Sequence, residues 1–484
     1  YRCTPLTSVV IPQKVKKIDS RAFGYCNNLK YIALLCDEII PSANIAQEQN
    51  DMAFDNGSNG ENTVDQKKQI TLYVRKALYE KYKTADFWKD FANIRTSFTA
   101  AHDGSTTATD EFLPISDKGM LLISTTCKDP VYVAPQQLAS SEEPDLKRNV
   151  SMIDNYAFQN AEGIKEVIFK NNVYSLGALA FYTKNKTEGN SVKPVSTSIE
   201  DVVFCGNTAP EVLQSDNFEL IDDFREFEPN QKIYVKKSKL VDYQTALAKF
   251  KDQISYQIPG VSIAQTYGTF CREFDTDFSD YYKSNSSAEI AAFVTGYEHT
   301  EKDADGKDVN YVHMTSIDEN GGYKADGENT YGYVPANTGV LLKVLDNGNK
   351  TPDDFYYTIG EHDADTYTVQ NNLMTGVLKE NTTVAASENS PVYIMSKSTG
   401  KLVKVISDID NFPIHKAYLK LPNTSSAKAG LRLVFDDGSI TTAINAVSEQ
   451  RKADDGKWYD INGIETVNPQ HGVFIHNNKK IIKK

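Results

Sequence analysis

The stretch IDNYAFQNAEGIKEVIF, residues 153–169, restates IDSRAFGYCNNLKYIAL, residues 18–34, and the letters that survive are apolar or small. Ile153, Asp154, Ala157, Phe158, Ile164, Val167 and Phe169 answer to Ile18, Asp19, Ala22, Phe23, Leu29, Ile32 and Leu34. Conserving only the apolar positions of a phrase is what a recurring structural unit requires, because those positions make the core.

Working backward from the first copy, Cys3, Leu6, Val9 and Ile11 lie 23 residues before Cys26, Leu29, Ile32 and Leu34. Working forward from the second, Val173, Leu176, Gly177, Ala180 and Phe181 follow Val150, Ile153, Asp154, Ala157 and Phe158 by the same 23. Ile199, Val202 and Phe204 follow Ile164, Val167 and Phe169 by 35, so a 12-residue insertion, polar and containing Gly and Pro, sits in YTKNKTEGNSVKPVSTS as a surface loop. A period in the twenties with one short period-2 strand per unit signifies leucine-rich repeats, whose units stack because none buries its face alone. LTSVVI, LKYIAL, IKEVIF and IEDVVF each direct three apolar residues inward, at +0, +3 and +5.

The form V-x-x-I-(D/G)-x-x-A-F-x-x-(C/A)-x-x-(L/I)-x-x-(I/V)-x-(L/F) resembles the BspA-like leucine-rich repeat family of surface proteins of anaerobic gut and oral bacteria. The resemblance spans two blocks within residues 1–255. It implies a solenoid, an extracellular or cell-surface (outer membrane exposed) location, and a non-enzymatic binding or adhesion role toward a host or matrix protein.

Each block ends alike. LYVRKALYEKYKTADFWKDF (72–91) parallels IYVKKSKLVDYQTALAKFKD (233–252), a strand running into an amphipathic helix. Leu240, Tyr243, Leu247, Phe250 and Ile254 step along one helical face, as Tyr82, Ala85 and Trp88 nearly do, and each helix is expected to cap its block. Between the blocks, linker-like polar runs flank GMLLISTTCKDPVYVAP, expected to be a hairpin opening the second block, and residues 46–69 are expected to form a mobile loop. Beyond residue 260 the period gives way to short alternating strands separated by turn signals, the pattern of an antiparallel β-sandwich. This half resembles a domain often appended to such repeats. The tail WYDINGIETVNPQHGVFIHNNKKIIKK predicts two strand pairs bent at Asn462-Gly463 and Asn477-Asn478. It also resembles C-terminal segments that direct export or surface attachment in some secreted bacterial proteins.

The fold class is therefore mainly β with some α. Its expected division is a first block with its helix (1–97), a linker and hairpin (98–145), a second block with its helix (146–258), a β-sandwich (260–442) and a C-terminal hairpin segment (443–484).

A net charge of −13 without a Lys/Arg stripe argues against nucleic acid, and no run reaches the ~20 apolar residues of a membrane span. The chain opens inside a repeat, so the natural N-terminus, with any export signal or lipid anchor, is expected to lie outside it. Six cysteines without a CxxC pair predict buried free thiols. GxSxG, HExxH, Walker and GxGxxG motifs are absent, and the seven histidines show no metal-ligand spacing, so no enzyme, no cofactor and no metal is expected. DADGKD (303–308) begins like a calcium loop but lacks the later ligands, and a hairpin tip accounts for it.

Two surfaces remain as candidate sites. Strand positions +2 and +4 alternate away from the core and offer Tyr31, Glu166 and Asp201 at +2, with Val10, Ala33, Ile168 and Val203 at +4, as a ladder for an extended protein partner. For a polysaccharide partner, Tyr323, Tyr331 and Tyr333 of NGGYKADGENTYGYVP form the one aromatic cluster of the second half suited to a sugar platform.

Overall fold

A computed structural model describes residues 2–47, 53–54, 66–189, 191–212, 226–261, 263–264, 266–281, 289–302, 304–317, 324–325, 328–329, 332–346, 355–361, 369, 371–396, 400–422, 430–435, 458–460, 472–476 and 479–483. The chain is 42% strand and 11% helix, as its repeat pattern requires.

Four parallel strands, Ser8–Ile11, Tyr31–Leu34, Thr71–Val74 and Asn93–Thr96, form the first ladder. The register keeps the repeat in phase: Val9 is opposite Ile32 and Ile32 opposite Leu72, while Ile11, Leu34 and Val74 align one rung further on. Leu29, Ile32 and Leu34, the predicted inward set, are buried against Cys26, Tyr82 and Trp88. Trp88 is fully buried, and its indole N–H donates to the carbonyl of Ile40 (2.8 Å), so the one polar atom of the ring is satisfied. Most of the expected loop 46–69 lies outside the described residues, but Ala53 and Phe54 within it are buried, with Phe54 stacked on Phe23 (5.1 Å). They repeat the Ala22-Phe23 pair, so this stretch supplies core as well as loop.

The second block builds two parallel sheets from one set of coils. Val131–Val133, Glu166–Phe169, Asp201–Phe204, Lys232–Val235 and Ile254–Ser255 form one, and Gly119–Thr125, Glu143–Ile153, Ser175–Leu176 and Glu211–Val212 pair in parallel on the other. Between them the ring of each coil falls above its predecessor, Phe158 on Phe181 at 5.5 Å and Phe181 on Phe227, which follows Glu226 in place of Ala, at 4.8 Å. Gly177 stands where the first copies carry Asp because a Cβ there would meet the backbone N of Asn155 at 2.3 Å. Successive coils touch at that point.

Several local expectations change. GMLLISTTCKDPVYVAP is not a hairpin: Gly119–Thr125 and Val131–Val133 belong to different parallel sheets, making this stretch a shortened repeat coil. The hairpin that does open the block joins Gly119–Thr125 to Asp110–Pro114, inside the supposed linker. The two expected helices are short, Tyr79–Thr84 and Leu240–Ala246. Each is followed by a further strand of the same ladder, Asn93–Thr96 or Ile254–Ser255, so the helix links two rungs and Ile254 is a strand residue. The 12-residue insertion is a two-stranded ribbon, Lys184–Glu188 paired with Ser191–Ser196.

In the second half, Ile263–Ala264, Tyr267–Phe270, Val340–Asp346, Glu289–Lys302, Asp308–Ser316 and Gly430–Phe435 make a six-stranded sheet in that order. All its pairs are antiparallel except the last, where Asp308–Ser316 runs parallel to Gly430–Phe435, a departure from the expected all-antiparallel pattern. A four-stranded sheet containing Met374–Val377, Lys416–Lys420 and Val392–Met395 shares one core with it, Phe293, Leu341 and Leu433 meeting Tyr393, Ala417 and Leu419. Lys302 lies opposite Asp308 across the DADGKD tip; Asp303 lies outside the described residues. At the C-terminus Trp458–Asp460 pairs with Gly472–His476, which pairs in turn with Lys479–Lys483; IETV lies outside the described residues. The Asn462-Gly463 and Asn477-Asn478 bends lie outside the described residues.

Phe181 sits at the centre of the aromatic stack and is fully buried. Phe181→Ala is expected to cost about 3–5 kcal/mol, read as a lower urea midpoint.

Candidate functional site

The outward strand positions are where a ladder binds a partner, and both ladders have their outward faces covered by the same chain. In the first, Ala33 and Tyr73 are fully buried against Leu113, Ile115 and Leu121 of the hairpin that opens the second block. Tyr31 is half-buried beside them, its ring stacked on Tyr73 at 6.1 Å. Below the rings lies a charged clasp. The Tyr73 hydroxyl donates to Glu143 (2.9 Å), and Arg148, fully buried, donates to both the Tyr73 hydroxyl (2.8 Å) and Glu143 (2.9 Å). Arg75 adds a 2.6 Å ion pair to Asp154, the Asp of the repeated phrase.

The second ladder is closed by the second half of the chain. Val133, Ile168, Val203 and Tyr234, its +4 row, pack on Phe270, Phe274 and Tyr357. Glu166, 8% exposed, accepts from Arg272 at 2.6 Å, and Arg272 also contacts Glu273 (3.2 Å) and donates to the Tyr357 hydroxyl. The other Glu273 oxygen lies 3.0 Å from His415 Nε2. Burial opposes ionisation of Glu273, but the hydrogen bond with His415 and the Arg272 charge outweigh it and hold the carboxyl at about 2. Asp201 is half-buried on the same face; burial first, then the charges of Glu166 and Glu200, push its carboxyl up to about 6, and the opposing pull of Arg272 and Lys232 does not outweigh them.

Tyr31, Glu166 and Asp201 are thus interior or half-interior positions and do not form an open ladder. The physical reason is visible in their neighbours: the +4 row is apolar at Val10 and Ala33 in the first ladder and at Val133, Ile168 and Val203 in the second, and a parallel sheet with such an outer row must be covered. Nothing local to a repeat announces which distant segment does the covering. Tyr333 is also buried, in a strand paired with Thr276–Asp277 and hydrogen-bonded to Asp275, so it offers no sugar platform. Tyr323 and Tyr331 lie outside the described residues.

An open cleft of about 660 Å³ lies where the start of the second block meets the second half of the chain. Lys128, Lys170 and Lys379 line it together with Asp103, Asp129 and Glu380, and no Phe, Tyr or Trp does. Lys170 and Asp103 stand 3.8 Å apart. At its inner wall His102, 4% exposed, turns Nε2 toward Asp129 (3.2 Å) and Cys127 (3.9 Å). Cys127 is not a poised nucleophile, since burial pushes its thiol up to about 12. No local cue marks this grouping along the chain, because His102 is 25 residues from Cys127. Of the other cysteines, Cys26, Cys36 and Cys271 are buried free thiols, Cys205 is half-buried and Cys3 is exposed. No helix among the described residues is long and apolar enough to cross a membrane.

Residues 1–98 and 136–228 match, in six copies, the family described as BspA type leucine rich repeat region. No curated protein matches the chain.

Two outcomes follow from the closed ladders. Arg272→Met strands Glu166 in the interior and is expected to cost about 3–5 kcal/mol in urea denaturation at pH 7, part of it regained when Glu166→Gln is added. Asp201 has its folded pKa above the unfolded value of about 3.9, so its stabilising contribution is complete below that pH and is lost as pH rises through about 6. Asp201→Asn should raise Tm at pH 7 and flatten the Tm profile between about pH 4 and 6.

Proposed function

We propose that this chain, a carrier of BspA-type leucine-rich repeats, is a non-enzymatic binding or adhesion protein of the bacterial surface or its secretions, and that a protein or matrix ligand engages the polar cleft beside Lys128 and Lys379. The repeats act as a solenoid and the two packed sheets of the second half as a β-sandwich with one parallel pair, so the cleft has two rigid walls. The surface and adhesion role agrees with what is typical of this repeat family. The observation that carries the site is the covering of both ladders over most of their length, which leaves no continuous repeat face for an extended partner. Interspersed lysines and carboxylates suit the charged side chains of a polypeptide, and the lack of an aromatic wall disfavours sugar stacking there.

A polysaccharide reading keeps support from a different place. Tyr174, 51% exposed, edges a groove of about 440 Å³ lined by Ser116, Asn149, Ser151, Asn171 and Asn172. Amides and hydroxyls around one ring are the composition that sugar hydroxyls require.

Capture assays with the full chain against host matrix proteins and a polysaccharide panel separate the two. Lys128→Glu with Lys379→Glu is expected to remove most protein capture, whereas Tyr174→Ala should leave it unchanged. Glycan capture lost in Tyr174→Ala and indifferent to the lysine changes would replace the first reading with the second.

A further inference from the structure

The shortened coil at the head of the second block gathers three side chains of metal-ligating type from two separate turns. His102 arrives from the residues before the strand Asp110–Pro114; Cys127 and Asp129 come from the turn between Gly119–Thr125 and Val131–Val133. Their Sγ, Nε2 and carboxylate oxygen all lie within 4.8 Å of one another. A tetrahedral zinc ion, with bonds of about 2.0–2.2 Å to N and O and about 2.3 Å to S, keeps N and O about 3.4 Å apart and N and S about 3.6 Å apart. The separations here are 3.2 Å between His102 and Asp129 and 3.9 Å between His102 and Cys127, within a few tenths of an ångström of that geometry.

The supporting contacts orient the sulfur. The Asp129 backbone N–H donates to Cys127 Sγ (3.3 Å), and Thr125 Oγ1 accepts from the Cys127 N–H (3.0 Å), so the turn is held with a backbone donor aimed at the sulfur. An N–H placed there stabilises a thiolate. The His102 ring packs against Tyr132 with centroids 5.2 Å apart, which fixes the direction of Nε2. A thiolate, a carboxylate and a neutral imidazole also carry the two negative charges that cancel a divalent cation, the condition for holding one in a partly buried place.

We propose that His102, Cys127 and Asp129 bind a divalent cation of the zinc class, with the fourth coordination position open to the cleft. A mixed S, N and O donor set selects zinc or a similar borderline ion over calcium or magnesium, which require oxygen ligands. Three protein ligands with one position free form a site that accepts an outside donor, in contrast to a closed structural site. His102 and Asp129 both line the cleft, so a carboxylate or imidazole of an entering molecule can complete the shell. Ligation through Nε2 puts the ring proton on Nδ1, which has no hydrogen-bond partner, so the affinity is set below that of sites whose histidines are anchored by a carbonyl or carboxylate. The site rests on its own donors and stands or falls separately from the cleft's macromolecular ligand.

The test is titration of the untagged chain with cobalt(II), followed by absorption spectroscopy. One equivalent is expected to give tetrahedral visible bands together with a near-ultraviolet thiolate-to-cobalt charge-transfer band, both removed by zinc. Cys127→Ser should lose the charge-transfer band. Asp129→Ala alters a residue whose side chain is 60% exposed, keeps the fold by circular dichroism, and should weaken cobalt binding by more than about tenfold, the least that loss of even an outer partner of a ligand gives. Absence of the charge-transfer band in the parent chain, its survival in Cys127→Ser, or unchanged affinity in folded Asp129→Ala would each overturn the assignment. Should Cys127→Ser fail to fold, the parent spectrum and Asp129→Ala decide the matter.

Discussion

A parallel strand buried on its inner face and apolar on its outer one cannot end a layer, and this constraint organises the whole chain. Val10, Ala33, Ile168 and Val203 all point away from the repeat core. Left in water, such a row would be an exposed apolar patch running the length of each ladder. The chain removes both patches by folding its own later segments onto them, the hairpin of the second block onto the first ladder and the second half onto the second. Domain order, the position of the open cleft and the loss of the ladder as a docking face are all consequences of that cover.

Both covers use the same polar device. Under the first lie an arginine, a glutamate and a tyrosine, Arg148, Glu143 and Tyr73; under the second lie Arg272, Glu166 and Tyr357. Each guanidinium also lies against its tyrosine ring, at 5.5 Å for Arg148 and Tyr73 and 5.6 Å for Arg272 and Tyr357. Desolvating ions costs several kcal/mol, and replacing such groups by well-packed apolar ones is often neutral, so the device is better understood as fixing alignment than as supplying stability. Apolar surfaces slide on one another; a planar guanidinium matched to a carboxylate and a hydroxyl holds one register.

The repeat was legible in the sequence because it is local. Val9 faces Ile32 and Val167 faces Val202 in the register that spacing alone implies. The inward positions are buried as the period requires. Two things were hidden for different reasons. The coil Gly119–Val133 escaped because it is compressed, lacking the Ala-Phe pair that marks the others. The covers escaped because Arg272 and Glu166 are 106 residues apart and no periodicity links them. Even so, part of that signal lay in plain letters: the outward +4 row is aliphatic, and an aliphatic row anticipates a lid. The misplaced site follows from counting alternation as exposure. Tyr333 repeats the error in miniature, since an aromatic in a Gly-rich stretch is as often a core residue as a platform.

The ribbon Lys184–Glu188 and Ser191–Ser196 bears on how such molecules share a crowded surface. Among the described residues neither of its long sides pairs with a further strand, and Val195 is 50% exposed. Bare strand flanks of this kind recruit matching strands from neighbouring copies and seed fibres. Here charged side chains line the ribbon, Lys184 together with Lys186 and Lys193, both paired to Glu188, and Pro194 deletes an N–H, so a second copy meets hydrated charge and a missing donor where it would otherwise zip on. The protrusion can therefore project from densely arrayed molecules without stitching them together.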